Sequence, residues 1–273
     1  MDNLANKGEI YVKLANKELG RFTLFGLLPA IEYGDVANNF SKAANCFRSD
    51  KQREKEIENR KLAIFYYLKN TDTYDALDEY NKLVELTEDY EEKIQLYLTM
   101  LQLHYDDDNF DAGEKINTNI GNLYFENSSF DKAIEFYAKV IDGTYKSKKL
   151  YENCVINTAK IHLNNNNISK AADLYQLLTN SLSGSFTLKT ILCRLSLDDF
   201  IAAKCLLNID SKISVIERDF VIKIINAYDE YNLEAFMDQV NFYEKYSFID
   251  DTILKLLLIL KHKLENNVNS ILL

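Results

Sequence analysis

Apolar residues recur at i, i+3 and i+4 along almost the whole chain. They fall in segments of about four turns, broken by short polar or small-residue junctions roughly every twenty residues. That period belongs to helices, each burying one continuous stripe. Between Asp35 and Arg48 the stripe is Val36, Ala37, Phe40, Ala43, Ala44 and Phe47. Tyr74, Ala76, Leu77, Tyr80, Leu83 and Val84 form a second, and Ile94, Tyr97, Leu98 and Leu101 a third. Eight glycines and one proline in 273 residues are too few for the many tight turns of a sandwich or barrel. An all-α fold is predicted.

An internal repeat sharpens this prediction. From Asn117 onward, Ile120, Gly121 and Tyr124 are followed by Ala133, Tyr137 and Val140. A small residue on each of two successive helices lets them pack closely, which is tetratricopeptide-like spacing. The register returns in Ala159, His162, Ala171, Tyr175 and Leu178, with 38 residues from Ala133 to Ala171. Stacked antiparallel pairs of this kind bury their apolar faces only against neighbours, so the expected architecture is a solenoid, a twisted sheet of helices. After about Ser185 the register loosens while the stripes continue through Leu188, Ile191, Leu192 and Leu195, then Phe220, Ile224, Ile225 and Tyr228. A helical sheet over residues 1–184 followed by a C-terminal helical bundle and tail over 185–273 is the predicted organisation. The run Ile253, Leu256, Leu257 and Leu260 is apolar around much of its helix and is expected to be covered on several sides.

Charge and chemistry exclude several function classes. Forty-two Asp and Glu against 32 Lys and Arg leave a net charge of -10 and a pI near 5.0, so a nucleic-acid backbone is not the expected partner. Cys46, Cys154, Cys193 and Cys205 show neither CxxC pairing nor a histidine at ligand spacing, so neither a metal site nor a disulfide framework is expected, and reduced thiols in a cytoplasmic protein are. Met1 to Leu19 mixes charged and apolar residues unlike a signal peptide, and Ile253 to Leu260 is far too short to span a bilayer. The three histidines, His104, His162 and His262, are scattered, and GxGxxG, GxxxxGK[ST] and GxSxG are all missing. No catalytic residue and no cofactor are assigned, and Asp106-Asp107-Asp108 reads as a solvated turn.

One segment stands apart. Phe22, Leu24, Phe25, Leu27 and Leu28 lie between Gly20 and Pro29, where a surface loop is expected. Such residues either insert into a membrane interface or dock on a partner, or they cap the first helix pair. Between Asp72 and Glu92 nine acids face one Lys, and between Lys139 and Lys149 four Lys face one acid. Both runs read as solvated faces, with a partner surface as the minority reading.

Several separate stretches resemble the soluble NSF attachment proteins, adaptors that connect the NSF ATPase to SNARE complexes during their disassembly. Phe22-Thr23-Leu24-Phe25-Gly26, followed by Asp35 to Phe47, is similar to the family's apolar loop and its small-residue helix. Asp131-Lys132-Ala133-Ile134-Glu135-Phe136-Tyr137 is similar to its central helix. Leu233 to Tyr246 and Asp250 to Lys263 are similar to its last two long helices, and Leu272-Leu273 to its leucine ending. Together these stretches reach across nearly the whole chain, and their order and spacing carry the resemblance.

The resemblance implies an adaptor without enzymatic activity, a monomer alone, with several copies wrapping one SNARE complex at a membrane. Phe22, Leu24, Phe25, Leu27 and Leu28 would provide peripheral membrane attachment. Lys115 falls at a SNARE-binding position, and Lys148 and Lys149 lie a turn before another that is Asn153 here. Asp229 and Glu230 match two acids that face the NSF-type ATPase, with Asn226 in place of a third. Leu272 or Leu273 would stimulate ATP hydrolysis, although Val268-Asn269-Ser270-Ile271 replaces the acidic run usual before the ending. A tetratricopeptide-like scaffold with no connection to SNAREs is the alternative, and it requires neither the apolar loop nor the leucine ending.

Overall fold

The computed structural model describes residues 4–20, 31–144, 147–179, 185–209 and 213–272, of which 185, 209 and 269–272 by backbone alone. These residues form helices α1 (Leu4–Leu19), α2 (Tyr33–Ser49), α3 (Arg53–Lys69), α4 (Thr73–Leu86), α5 (Tyr90–Asp106), α6 (Phe110–Glu126) and α7 (Phe130–Ile141). After these come α8 (Lys148–Asn164), α9 (Ile168–Leu177), α10 (Ser185–Ser196), α11 (Phe200–Ile209), α12 (Val215–Asp229), α13 (Leu233–Tyr246) and α14 (Asp251–Leu272). The fold is all-α, and most helices pack on the next one in sequence, as tetratricopeptide-like pairs do.

The device that makes the pairs is one turn used again and again. At seven junctions between described helices the second of three linking residues is left-handed: Lys51, Thr71, Asp108, Ser128, Asn166, Asp198 and Tyr231, with φ from 50° to 62°. Each time its N–H bonds the carbonyl three residues back, and the next N–H bonds the carbonyl five back, as in Lys51 to Arg48 and Gln52 to Phe47. This double bond satisfies carbonyls orphaned at the helix end. In α2–α3, α3–α4, α6–α7, α8–α9 and α12–α13 the third residue is also the N-cap of the following helix. Reversal therefore takes three residues and no glycine, which is how a chain with eight glycines closes so many helix pairs.

The chain divides into two compact units, residues 1–123 and 124–273, with the division inside α6. In the first, α2 buries Val36, Ala37, Phe40, Ala43, Ala44 and Phe47, the stripe expected from the sequence. Ala15 of α1 and Ala63 and Tyr67 of α3 share part of that core. Gly8 of α1 lies so near Phe47 that a Cβ there would stand 2.9 Å from the ring, so any larger residue would have to displace that buried ring where the two helices touch. In the second unit, α10 packs on α9, α11 and α14, and its Leu188, Ile191, Leu192 and Leu195 join Phe220, Ile224, Leu256 and Leu260 in one core.

Three expectations need correction. Tyr74, placed in the α4 stripe, is 85% exposed; it sits in the first turn of the helix, where a side chain tilts back past the helix end. Glu79, counted in a solvated acidic run, is 2% exposed. Leu254 and Leu258 of α14 are about half exposed, so that helix, packed on α10 and α13, keeps one side open to solvent. The tail is also helical: α14 continues through 266–270 to Leu272.

Candidate functional site

The basic residues expected to contact a partner are all on helix surfaces. Lys115 is exposed on α6, while Glu114, Ile116, Asn117 and Thr118 around it are buried. Packing therefore fixes the direction of Lys115 toward solvent. Lys148 and Lys149 are adjacent and exposed in the first turn of α8, after the N-cap Ser147. Two cations at a helix N-terminus oppose the helix dipole, at a cost of about 0.3–1 kcal/mol each. The same placement adds the field of the helix end to that of the ammonium groups, and both attract an acidic partner.

The acidic pair has the mirror-image arrangement. Asp229 ends α12, Glu230 is its C-cap, and both are exposed. Carboxylates at a helix C-terminus again oppose the dipole, and Lys204 Nζ lies 3.7 Å from Asp229 Oδ2. Leu272 closes the backbone of α14, without a described side chain, and Leu273 lies outside the described residues. So does the apolar segment 21–29 with Phe22, Leu24, Phe25, Leu27 and Leu28. The structure thus brings together Lys148 with Lys149 and Asp229 with Glu230, each pair at one helix end.

Among the described residues, no group of three His, Cys, Asp or Glu side chains could hold a metal, and no helix is long and apolar enough to cross a membrane. Burial lowers the His104 imidazole below its ordinary range, and burial followed by Lys170 does the same to His162. Burial pushes the Cys193 thiol up to about 12, which removes it as a thiolate nucleophile near neutrality. A cavity of about 340 Å³ in the second unit is lined by Phe186, Lys189, Asp250 and Lys255 among others. Two of its three lysines are engaged: Lys189 Nζ is 2.6 Å from Asp250, and Lys255 Nζ donates to Asn164 Oδ1 at 3.1 Å.

A buried ionic network in the first unit escaped the sequence reading. Arg60 of α3, fully buried, donates from Nε to Glu56 Oε1 at 2.9 Å and from Nη1 to Glu79 Oε2 of α4 at 2.7 Å. Ser41 of α2 donates to Glu79 Oε1 at 2.8 Å, and Lys82 Nζ lies 2.7 Å from the same oxygen. The side chains of three helices are thereby tied to one carboxylate. The available signal was the Glu56–Arg60 spacing of four on one helix face, which gives the pair but not its burial.

A sequence model of the family described as "Soluble NSF attachment protein, SNAP" matches residues 6–265. No curated protein gives a significant match. Among solved structures, the chain is similar to a signal-transduction ATPase with a tetratricopeptide repeat sensor from Pyrococcus horikoshii, at 14% identity and a TM-score of 0.44, over 89% of this chain and 36% of that one. It is also similar to BtubC from P. vanneervenii, at 12% identity and a TM-score of 0.41, over 82% of this chain and 91% of that one.

Proposed function

The chain belongs to the soluble NSF attachment protein family, and from that premise we propose that it is a non-enzymatic adaptor that binds SNARE complexes and recruits and stimulates an NSF-type ATPase. The observation that supports this reading is the extent of the family match, residues 6–265. Lys115, Lys148 and Lys149 face the acidic SNARE bundle, where Coulomb attraction orients the encounter and raises its rate. Residues 185–273 form the ATPase-facing portion, with Asp229 and Glu230 meeting basic surfaces of the hexamer and Leu272 or Leu273 stimulating hydrolysis. Phe22, Leu24, Phe25, Leu27 and Leu28 attach the adaptor peripherally to the membrane whose SNAREs it serves, in the cytoplasm and in vesicle-mediated transport. Several copies act on one SNARE complex, and the ATPase supplies the work of disassembly.

The deciding experiment is a pull-down of the full chain with a pre-assembled SNARE complex and an NSF-type ATPase. Capture of the ATPase only when SNARE complex and chain are both present is the expected result. A chain that retains neither would leave a tetratricopeptide-like scaffold for other partners.

A further inference from the structure

The outer face of α1 has a composition that the packing of the first unit does not explain. Its inner face holds Gly8 and Ala15, both buried, with Val12 and Leu19 packed against the core shared by α2 and α3. The opposite face exposes Ile10 (56%) and Leu14 (40%), one helical turn apart. Lys7, Lys13 and Lys17 are exposed around this apolar pair. At 100° per residue, Lys13 and Lys17 lie on one side of the pair and Lys7 on the other. Of the two acids on the helix, Glu9 is held by Lys55 at 2.6 Å, and Glu18 is half-buried at the edge of the face. In a chain of net charge -10, this face is locally cationic.

We propose that the outer face of α1 is a lipid-binding surface, on which Ile10 and Leu14 enter the headgroup boundary of a bilayer while Lys7, Lys13 and Lys17 contact anionic headgroups. The inference rests on the membrane reading of segment 21–29 and extends it into the helix that precedes that segment. Two features favour lipid over an acidic protein. The lysine stems are long enough to lie along an apolar pair while their ammonium groups reach outward to phosphates. In the sequence, α1 also comes directly before Arg21, Phe22, Leu24, Phe25, Leu27 and Leu28, the segment read as attaching to the membrane, so a cationic helix face would complement that separate apolar contact. An apolar insertion alone binds membranes marginally, and a second, electrostatic signal makes attachment stable.

The test is co-sedimentation of the full chain with phosphatidylcholine vesicles, with and without phosphatidylserine. Three variants are compared: Lys7→Gln with Lys13→Gln and Lys17→Gln; Ile10→Ser with Leu14→Ser; and Phe22→Ser with Leu24→Ser and Phe25→Ser. Every substituted α1 side chain is exposed, so unchanged helical circular dichroism and thermal unfolding are required of both α1 variants. The lysine variant is expected to lose at least about tenfold in affinity for anionic vesicles and nothing on neutral ones, from roughly 1 kcal/mol per Lys near the surface. The Ile10 and Leu14 variant is expected to lose affinity on both. Wild-type binding by both α1 variants, with loss only in the Phe22 variant, overturns this inference and leaves the apolar segment as the sole attachment. Loss in the α1 variants with normal binding by the Phe22 variant upholds the face and removes the segment. Wild-type vesicle binding by the α1 variants together with loss of SNARE-complex binding in solution assigns the face to an acidic protein and overturns the lipid proposal.

Discussion

At the scale of single residues, the backbone has accepted strain where glycine would have been free. Thr71 has φ 62° in the α3–α4 turn, a conformation that crowds a β-branched side chain. Its hydroxyl bonds only the adjacent Asn70 carbonyl, at 2.6 Å in an exposed position. Thr71→Gly should therefore raise stability by about 1 kcal/mol, the left-handed penalty less the entropy of an added glycine, and a higher urea midpoint at unchanged slope is the measurement. Asp250 offers a test against pH. Burial alone would raise its carboxyl, but the hydrogen bond from Lys189, the backbone N–H groups of Ile253 and Thr252 and the Lys189 charge outweigh it and hold it below its usual range. A carboxyl lowered on folding contributes stability that is present above its unfolded pKa and lost as pH falls through the folded one. Asp250→Asn should destabilise at pH 7, where it leaves the buried Lys189 ammonium unpaired, and the gap from wild type should close below about pH 4. Thermal unfolding at a series of pH values reads that convergence, and a gap independent of pH would remove the ion pair as its cause.

Among whole helices, the apolar stripes were legible because burial and period coincide. All six positions read on α2 are buried, and Gly121, Ala133, Ala159 and Ala171 are buried where the repeat required small residues. The polar junctions were legible as breaks, though not as left-handed turns, because Lys51, Thr71 and Tyr231 carry no sequence mark of positive φ. Burial of Arg60 and Glu79 was illegible for another reason: charge pattern alone cannot separate a solvated carboxylate from one whose partners arrive from two other helices. The network makes a sharp prediction. Arg60→Met leaves Glu56 and Glu79 buried without the guanidinium and should cost about 3–5 kcal/mol. Adding Glu56→Leu and Glu79→Leu removes both carboxylates deprived of the guanidinium, of which only Glu79 keeps partners in Lys82 and Ser41, and should recover more than half of that loss, as read by urea unfolding. A triple variant no more stable than the single one would mean that the geometry of α2, α3 and α4 depends on the ions themselves. Of the candidate site, the charged residues were legible as types, and their solvent exposure was fixed by which neighbours the helices bury. Segment 21–29 lies outside the described residues, and its proposed role rests on the family resemblance, since composition alone leaves membrane insertion and capping of the first helix pair both open.

For the molecule as a whole, the two termini of the sequence differ in chemistry. Exposed Lys7, Lys13 and Lys17 precede a run of Phe and Leu at the start. Between Asn226 and Leu273, by contrast, four Lys stand against eight acids, a net of 4 - 8 = -4. The proposed adaptor role, joining a membrane-bound substrate to an ATPase, would need such a difference, because each end would have to reject the other's partner as well as attract its own. In that proposed role the acidic residues of the C-terminal segment would supply attraction to a basic surface, but attraction alone adds affinity without changing the rate of the bound enzyme. Stimulation requires a contact made preferentially with the hydrolysing state, and the apolar Leu272-Leu273 ending, after a helix that runs to Leu272, is the element proposed to make it. Leu272→Ala with Leu273→Ala should therefore leave SNARE binding unchanged and abolish the rise in ATP turnover that the wild-type chain produces with an NSF-type ATPase and SNARE complex. The companion variant Asp229→Asn with Glu230→Gln should weaken recruitment, with the defect growing smaller as added salt screens the wild-type attraction. If the leucine variant stimulated turnover as fully as the wild type, the ending would be no more than the last turn of α14, and stimulation would have to arise from the acidic contacts.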